Sequence, residues 1–100
     1  MINDKTLNFI RFSSGFNSLK KEELEAFAEN EIFELNEYNA SEGTQGKYFY
    51  TLEDVNTNGT LKSYIIECLK LSLQTRWGNN LEYHIDRKTK YLNKLTGMQA

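Results

Sequence analysis

Residues 60–77 constrain this chain more than any other stretch. Leu61, Tyr64, Ile65, Cys68, Leu69, Leu73 and Trp77 recur at intervals of three and four, with Lys62, Ser63, Glu67, Lys70 and Gln74 on the other side. That period puts one apolar stripe on a helix. Asn58 or Thr60 can cap its start, and Gly78 stands where a left-handed C-terminal glycine belongs. A competing two-residue alternation through Leu69, Leu71, Leu73 and Trp77 lacks these caps and this polar side. An apolar stripe of such length must be covered, so the remaining elements have to pack on it.

Which elements do so is read from local pattern. Residues 5–12 are aromatic and branched and predict a first strand. Ser13-Ser14-Gly15 ends it, and Asn17 or Ser18 can cap a helix in which Leu24, Phe27 and Ala28 share a side. Asn30 is a stop signal for that helix. Residues 31–38 then read as a second strand, although Ile32 and Leu35 would equally extend the helical stripe. Residues 39–46 are turn formers and predict a surface loop, and Lys47 to Leu52 is the most strand-like run in the chain. Residues 81–86 alternate as a last strand would, with Asp86 capping a short helix to Thr96; one helix from Leu81 to Leu95 fits as well, with Glu82 near its start and Lys90 and Lys94 near its end. The expectation is an α+β fold with an antiparallel sheet of three to four strands and two to three helices. The first option for residues 81–96 gives the order βαββαβ, the ferredoxin-like arrangement. The second gives a three-stranded sheet covered by three helices.

The 100 residues are the length of a single domain, 1–100, and 39% apolar and 26% charged residues are ordinary globular values. No apolar run is longer than three residues, as at Tyr64-Ile65-Ile66, so no membrane span is expected. Asp4, Lys5 and Arg11 interrupt the only N-terminal stretch that could act as a secretory signal. The single cysteine, Cys68, has no partner for an internal disulfide. These features together predict a cytoplasmic protein.

The sharpest motif is Asp54-Val55-Asn56-Thr57-Asn58-Gly59, which matches the opening of a calcium loop. Such a loop needs a bidentate glutamate at its twelfth position, where this chain has Ile65. A polar turn that caps the following helix accounts for the same residues. His84 is the only histidine, too few nitrogen and sulfur ligands for a structural zinc site. Cys68 on the apolar stripe reads as a small core hydrophobe rather than a nucleophile, and His84 as an ordinary half-exposed residue between Glu82 and Asp86. Phosphate-binding glycine loops, nucleophile elbows and kinase signatures are absent. No catalytic residue, metal site or cofactor is expected, and the chain reads as a non-enzyme.

Charge is distributed more informatively. Residues 1–46 carry a net −5 and residues 47–100 a net +3. Eight glutamates and no lysine or arginine lie within residues 22–46. Glu22, Glu25 and Glu29 are expected opposite Leu24, Phe27 and Ala28, as a stripe of carboxylates ~4.5–6 Å apart along the helix axis. Phosphates repeat every ~3.4 Å along a duplex strand, a comparable spacing. The bland account is a solvated helix face. The sharper one is a binding surface for a basic protein, such as a nuclease toxin or another nucleic-acid enzyme, that an inhibitor or immunity-type protein would block. A small assembly subunit that self-associates through an edge strand at residues 47–52, or through the alternation at 69–77, is the alternative. The basic segment Arg87, Lys88, Lys90 and Lys94 beside Tyr91 offers a nucleic-acid contact, against which the overall charge of −2 argues.

Overall fold

A computed structural model describes residues 1–41, 49–74 and 81–97, with the side chains of residues 73, 74 and 81 outside the description. Five helices run through the described residues: α1 (Asp4–Ser14), α2 (Lys21–Ser41), α3 (Asp54–Thr57), α4 (Gly59–Gln74) and α5 (Leu81–Thr96). No strand is present among them, so the fold is all-α and the expected α+β sheet, ferredoxin-like or three-stranded, is overturned.

Each supposed strand fails for a definable reason. In α1, Asn3 accepts from the Thr6 backbone N–H and Gly15 closes the helix in the left-handed region at φ 81°. Thr6, Leu7, Ile10 and Ser14 point inward at helical spacing, which leaves Phe9 and Phe12 outside. The aromatic content suggested β structure, but strand preference reflects fit to a half-buried sheet, and no sheet exists to receive these rings.

Residues 31–38 continue α2 straight through Asn30. Leu24, Ala28, Ile32, Leu35 and Asn39 form one unbroken buried stripe, and an exposed Asn costs a helix only a few tenths of a kcal/mol. The helix starts later than Asn17 or Ser18. Lys20 is the flanking residue: its carbonyl accepts from Leu24 N–H and its own N–H donates to the Glu23 carboxylate, half of a capping box.

Phe49 to Glu53 is irregular and turn backbone, not strand. The backbone of Tyr50 is met by one side chain, since Asn36 both donates to the Tyr50 carbonyl (2.8 Å) and accepts from the Tyr50 N–H (2.9 Å). Lys47 and Tyr48 of the expected strand, residues 42–46 of the expected loop, and Gly78 and Trp77 of the expected helix end lie outside the described residues, while residues 39–41 of that loop belong to α2. Residues 81–96 adopt the single-helix option, closed by Gly97 at φ 74°.

The helix expected at residues 60–77 forms as α4. Asn58 accepts from the Leu61 N–H, the cap that the sequence offered. α4 lies at the centre of the molecule, packing most extensively on α5 and also on α1 and α3. Leu61, Tyr64, Ile65, Ile66, Cys68 and Leu69 are all buried, in one core with Ile2, Leu7 and Ile10, Leu24, Ala28, Ile32 and Leu35, Val55, and Leu95. Burial of one Leu or Ile contributes about 1.5–3 kcal/mol, so this cluster supplies most of the folding free energy. No helix among the described residues is long and apolar enough to cross a membrane.

Candidate functional site

Being central, α4 buries residues beyond its apolar stripe. Glu67 is 3% exposed and His84 6% exposed. The His84 Nδ1 lies 2.7 Å from Glu67 Oε1, and Arg87 Nε donates to Glu67 Oε2 at 3.2 Å. Arg87 also donates from Nη2 to the Tyr91 hydroxyl at 2.6 Å, and its guanidinium sits between the Tyr83 and Tyr91 rings at 5.6 and 5.4 Å. These spacings follow from helical geometry: positions 84, 87, 91 and 95 of α5 share the face turned to α4. The hydrogen bond to Glu67 raises the Arg87 pKa, so the guanidinium is permanently charged. His84 is therefore buried, not half-exposed as its place between Glu82 and Asp86 suggested. Glu67, expected on the solvent side of its helix, is the acceptor at the hub of a buried polar network.

A carboxylate bonded to a histidine can orient a general base. Here Tyr83 closes on the imidazole edge-on at 5.1 Å, and the nearest recess is lined by Glu67 and Arg87 but not by His84. The pair ties α4 to α5, and its histidine does not line that recess.

Cys68 is buried, as its place on the stripe required, with Sγ 3.7 Å from Glu31 Oε1. Burial first, and then the Glu31 charge, push its thiol up to about 12. The Tyr64 hydroxyl is raised too, by burial and by Cys68 and Glu31. Both are protonated at neutral pH, which removes Cys68 as a nucleophile.

One side-chain oxygen each of Asp54, Asn56 and Asn58 in the calcium-like segment is already engaged. Asp54 Oδ2 accepts from Thr51 N–H, Asn56 Oδ1 from Asn3 N–H and Asn58 Oδ1 from Leu61 N–H. Val55 is fully buried beneath them. The segment is the short helix α3 followed by the Asn58 cap of α4, and Asn56 anchors the N-terminal residues. No three His, Cys, Asp or Glu side chains converge on a metal position among the described residues.

The acidic stripe is altered by the length of α2. Glu22 and Glu29 are exposed, as expected. Glu25 is half-buried, and its Oε2 accepts from the backbone N–H of Ile2 at 2.8 Å. It therefore serves the fold at the margin of the stripe. Helix continuity adds Glu37 to the outer face and puts Phe33 between Glu29 and Glu37, one turn from each and 63% exposed. Sequence reading missed Phe33 because it placed this residue in a strand; the shared spacing of Leu24, Ala28, Ile32 and Leu35 was the signal that could have found it.

On the opposite charge pole, Arg87 is committed to Glu67, and Lys88 Nζ lies 5.9 Å over the Tyr64 ring. Lys90 and Lys94 remain exposed. The basic segment thus works largely within the fold. No protein-family model, no curated protein and no solved structure matches the chain.

Proposed function

We propose that this chain is a non-enzymatic binding protein whose α2 surface engages a basic partner, of the kind an inhibitor or immunity-type protein meets on a nuclease or other nucleic-acid enzyme. The observation that carries the reading is the outer face of α2. Seven glutamates and one lysine lie on this 21-residue helix, and its outer face has Phe33 flanked by Glu29 and Glu37, with Glu22 further along. Glu22 to Glu37 spans ~22 Å at 1.5 Å per residue. Carboxylates steer a basic partner into place and raise the association rate. An exposed aromatic supplies the apolar centre that a purely solvated face has no use for, since interface cores are enriched in aromatics and ringed by polar residues. Self-association through an edge strand at residues 47–52 loses its basis, because residues 49–53 form irregular and turn backbone, tied to Asn36 at Tyr50.

The test is charge reversal at Glu22, Glu29 and Glu37, with Phe33→Ala as a separate variant. Glu25 is left intact, because removing its bond to Ile2 would mix stability with binding. Each change at an exposed position should alter stability by about 0.5 kcal/mol or less. A basic partner captured from the cells that make the protein should bind the reversed variant at least about a hundredfold more weakly, a loss of ~2.7 kcal/mol. Wild-type affinity should fall steeply as the screening length shortens to ~8 Å at physiological salt. Binding indifferent to salt, to the reversal and to Phe33 would overturn the reading.

A further inference from the structure

A second surface, independent of α2, lies where α1, α4 and α5 meet. A recess of about 160 Å³ opens there, lined by Phe9 and Ser13 of α1, Ser63, Ile66, Glu67 and Lys70 of α4, and Arg87 of α5. Its volume is roughly tenfold the ~10–15 Å³ one water needs, so a group the size of a phosphate enters. The lining residues are rich in donors: two hydroxyls, an ammonium and a guanidinium, contributed by three different helices. Glu67 also lines this region, and its two oxygens are occupied by His84 Nδ1 and Arg87 Nε. With Lys70 and Arg87 against Glu67, the charged lining sums to +1. Among the described residues no carboxylate pairs with Lys70. Arg87 spends Nε on Glu67 and Nη2 on Tyr91, which holds the fork rigid and leaves Nη1 to donate. A fixed guanidinium beside a lysine is an arrangement suited to phosphate oxygens.

Past Phe9 and Ser63, which line both, a larger recess of about 370 Å³ continues, with Thr6, Asn56 and the cations Lys5 and Lys62 on its walls. That volume lies in the ~300–1,000 Å³ range of small-molecule sites. Phe9, half-exposed and approached by Lys62 Nζ at 5.5 Å, stands between the two.

We propose that the groove binds a small aromatic phosphomonoester, its phosphate among Ser13, Ser63, Lys70 and Arg87 and its ring against Phe9. The phosphate contributes the charge recognition and Phe9 the apolar contact, which distinguishes an ester from free phosphate.

Titration of the full chain with phenyl phosphate and with inorganic phosphate, at constant ionic strength set with chloride, tests this by calorimetry and by amide shifts in the NMR spectrum. Phenyl phosphate should bind saturably, with shifts at Ser13, Ser63 and Lys70, and about tenfold more tightly than inorganic phosphate. Lys70→Met, at a half-exposed position, should weaken both ligands about tenfold, whereas Lys94→Met, exposed on α5 outside the groove, should change neither. Phe9→Ala should abolish the advantage of the ester. Equal affinity for the two ligands would overturn the ester assignment. No saturable binding, or equal loss in the Lys70 and Lys94 variants, would overturn the site altogether.

Discussion

Glu67→Leu isolates the buried network and has a calculable cost. The substitution removes an acceptor that is 3% exposed and serves both His84, at 2.7 Å, and Arg87, at 3.2 Å. His84 is itself buried, so its ring nitrogen loses a partner with no water to replace it, at about 1–3 kcal/mol. The Arg87 side chain is 38% exposed and can recover part of its hydration, so its share is smaller. Breaking one member of a buried charged pair costs about 3–5 kcal/mol in other proteins, and the partial exposure of Arg87 puts this case near ~3 kcal/mol. In a domain of this length, that lowers the melting temperature by roughly 12–24 °C, at ~4–8 °C per kcal/mol. Urea denaturation followed by circular dichroism should show the midpoint falling by about 1–3 M. Adding His84→Leu to Glu67→Leu removes the orphaned imidazole as well and should recover at least about 1 kcal/mol, because apolar replacement of both partners is often neutral or stabilising. A single variant that loses less than about 1 kcal/mol, or a double variant no more stable than the single, would refute the idea that Glu67 and His84 stabilise only as a pair.

Two further outcomes follow from the same core. Cys68 should react slowly with an aqueous thiol reagent unless the protein is unfolded; its folded pKa, about 12 against an ordinary 9.0, means that its contribution to stability is intact below pH 9 and is lost as pH rises towards 12. Tyr64 acts in the same direction above its ordinary 10.0, so stability should decline above about pH 9 and more steeply above about pH 10, by up to ~1.4 kcal/mol per pH unit for each group, and Cys68→Ala should make that decline shallower; a decline of unchanged steepness in the variant would exclude the thiol as a cause. Calorimetric titration with millimolar calcium should give no saturable heat at the Asp54 turn, and a dissociation constant below about 0.1 mM would show that its capping bonds yield to a cation.

What was legible in the sequence is what depends on one helix alone. The stripe and Asn58 cap of α4, and the burial of Cys68, need only a period and a capping residue, and both were in view. What was not legible depends on neighbours. Phe9 and Phe12 suggested a strand because aromatic rings favour sheets, yet the inward set Leu7, Ile10 and Ser14 has helical spacing and decides the matter. His84 and Glu67 are 17 positions apart, and nothing local to either shows that α5 turns 84, 87 and 91 towards α4. Glu25 differs from Glu22 and Glu29 only in lying close enough to Ile2 to accept its N–H, a tertiary fact.

The acidic face turns on whether the chain stays helical at Asn30. In a strand over residues 31–38, Phe33 and Leu35 would point to the same side, because side chains alternate with period two, and both would be core. In a helix they are 200° apart at 100° per residue, so burying Leu35 with Ile32 and Ala28 drives Phe33 outward. The structure takes the second course: Leu35 is 2% exposed and Phe33 63%. The same continuity brings Glu37 into line with Glu29 across Phe33 and draws Asn36 round to hold the Tyr50 backbone. An exposed phenylalanine loses the transfer free energy that burial would return, about 1.5–3 kcal/mol. Neither the core, which closes without it, nor the hydrogen bonding of α2 requires an aromatic there. A partner that covers Phe33 while its cations meet Glu29 and Glu37 would recover that free energy on binding, and this is why Phe33→Ala should weaken capture while leaving folding stability nearly unchanged.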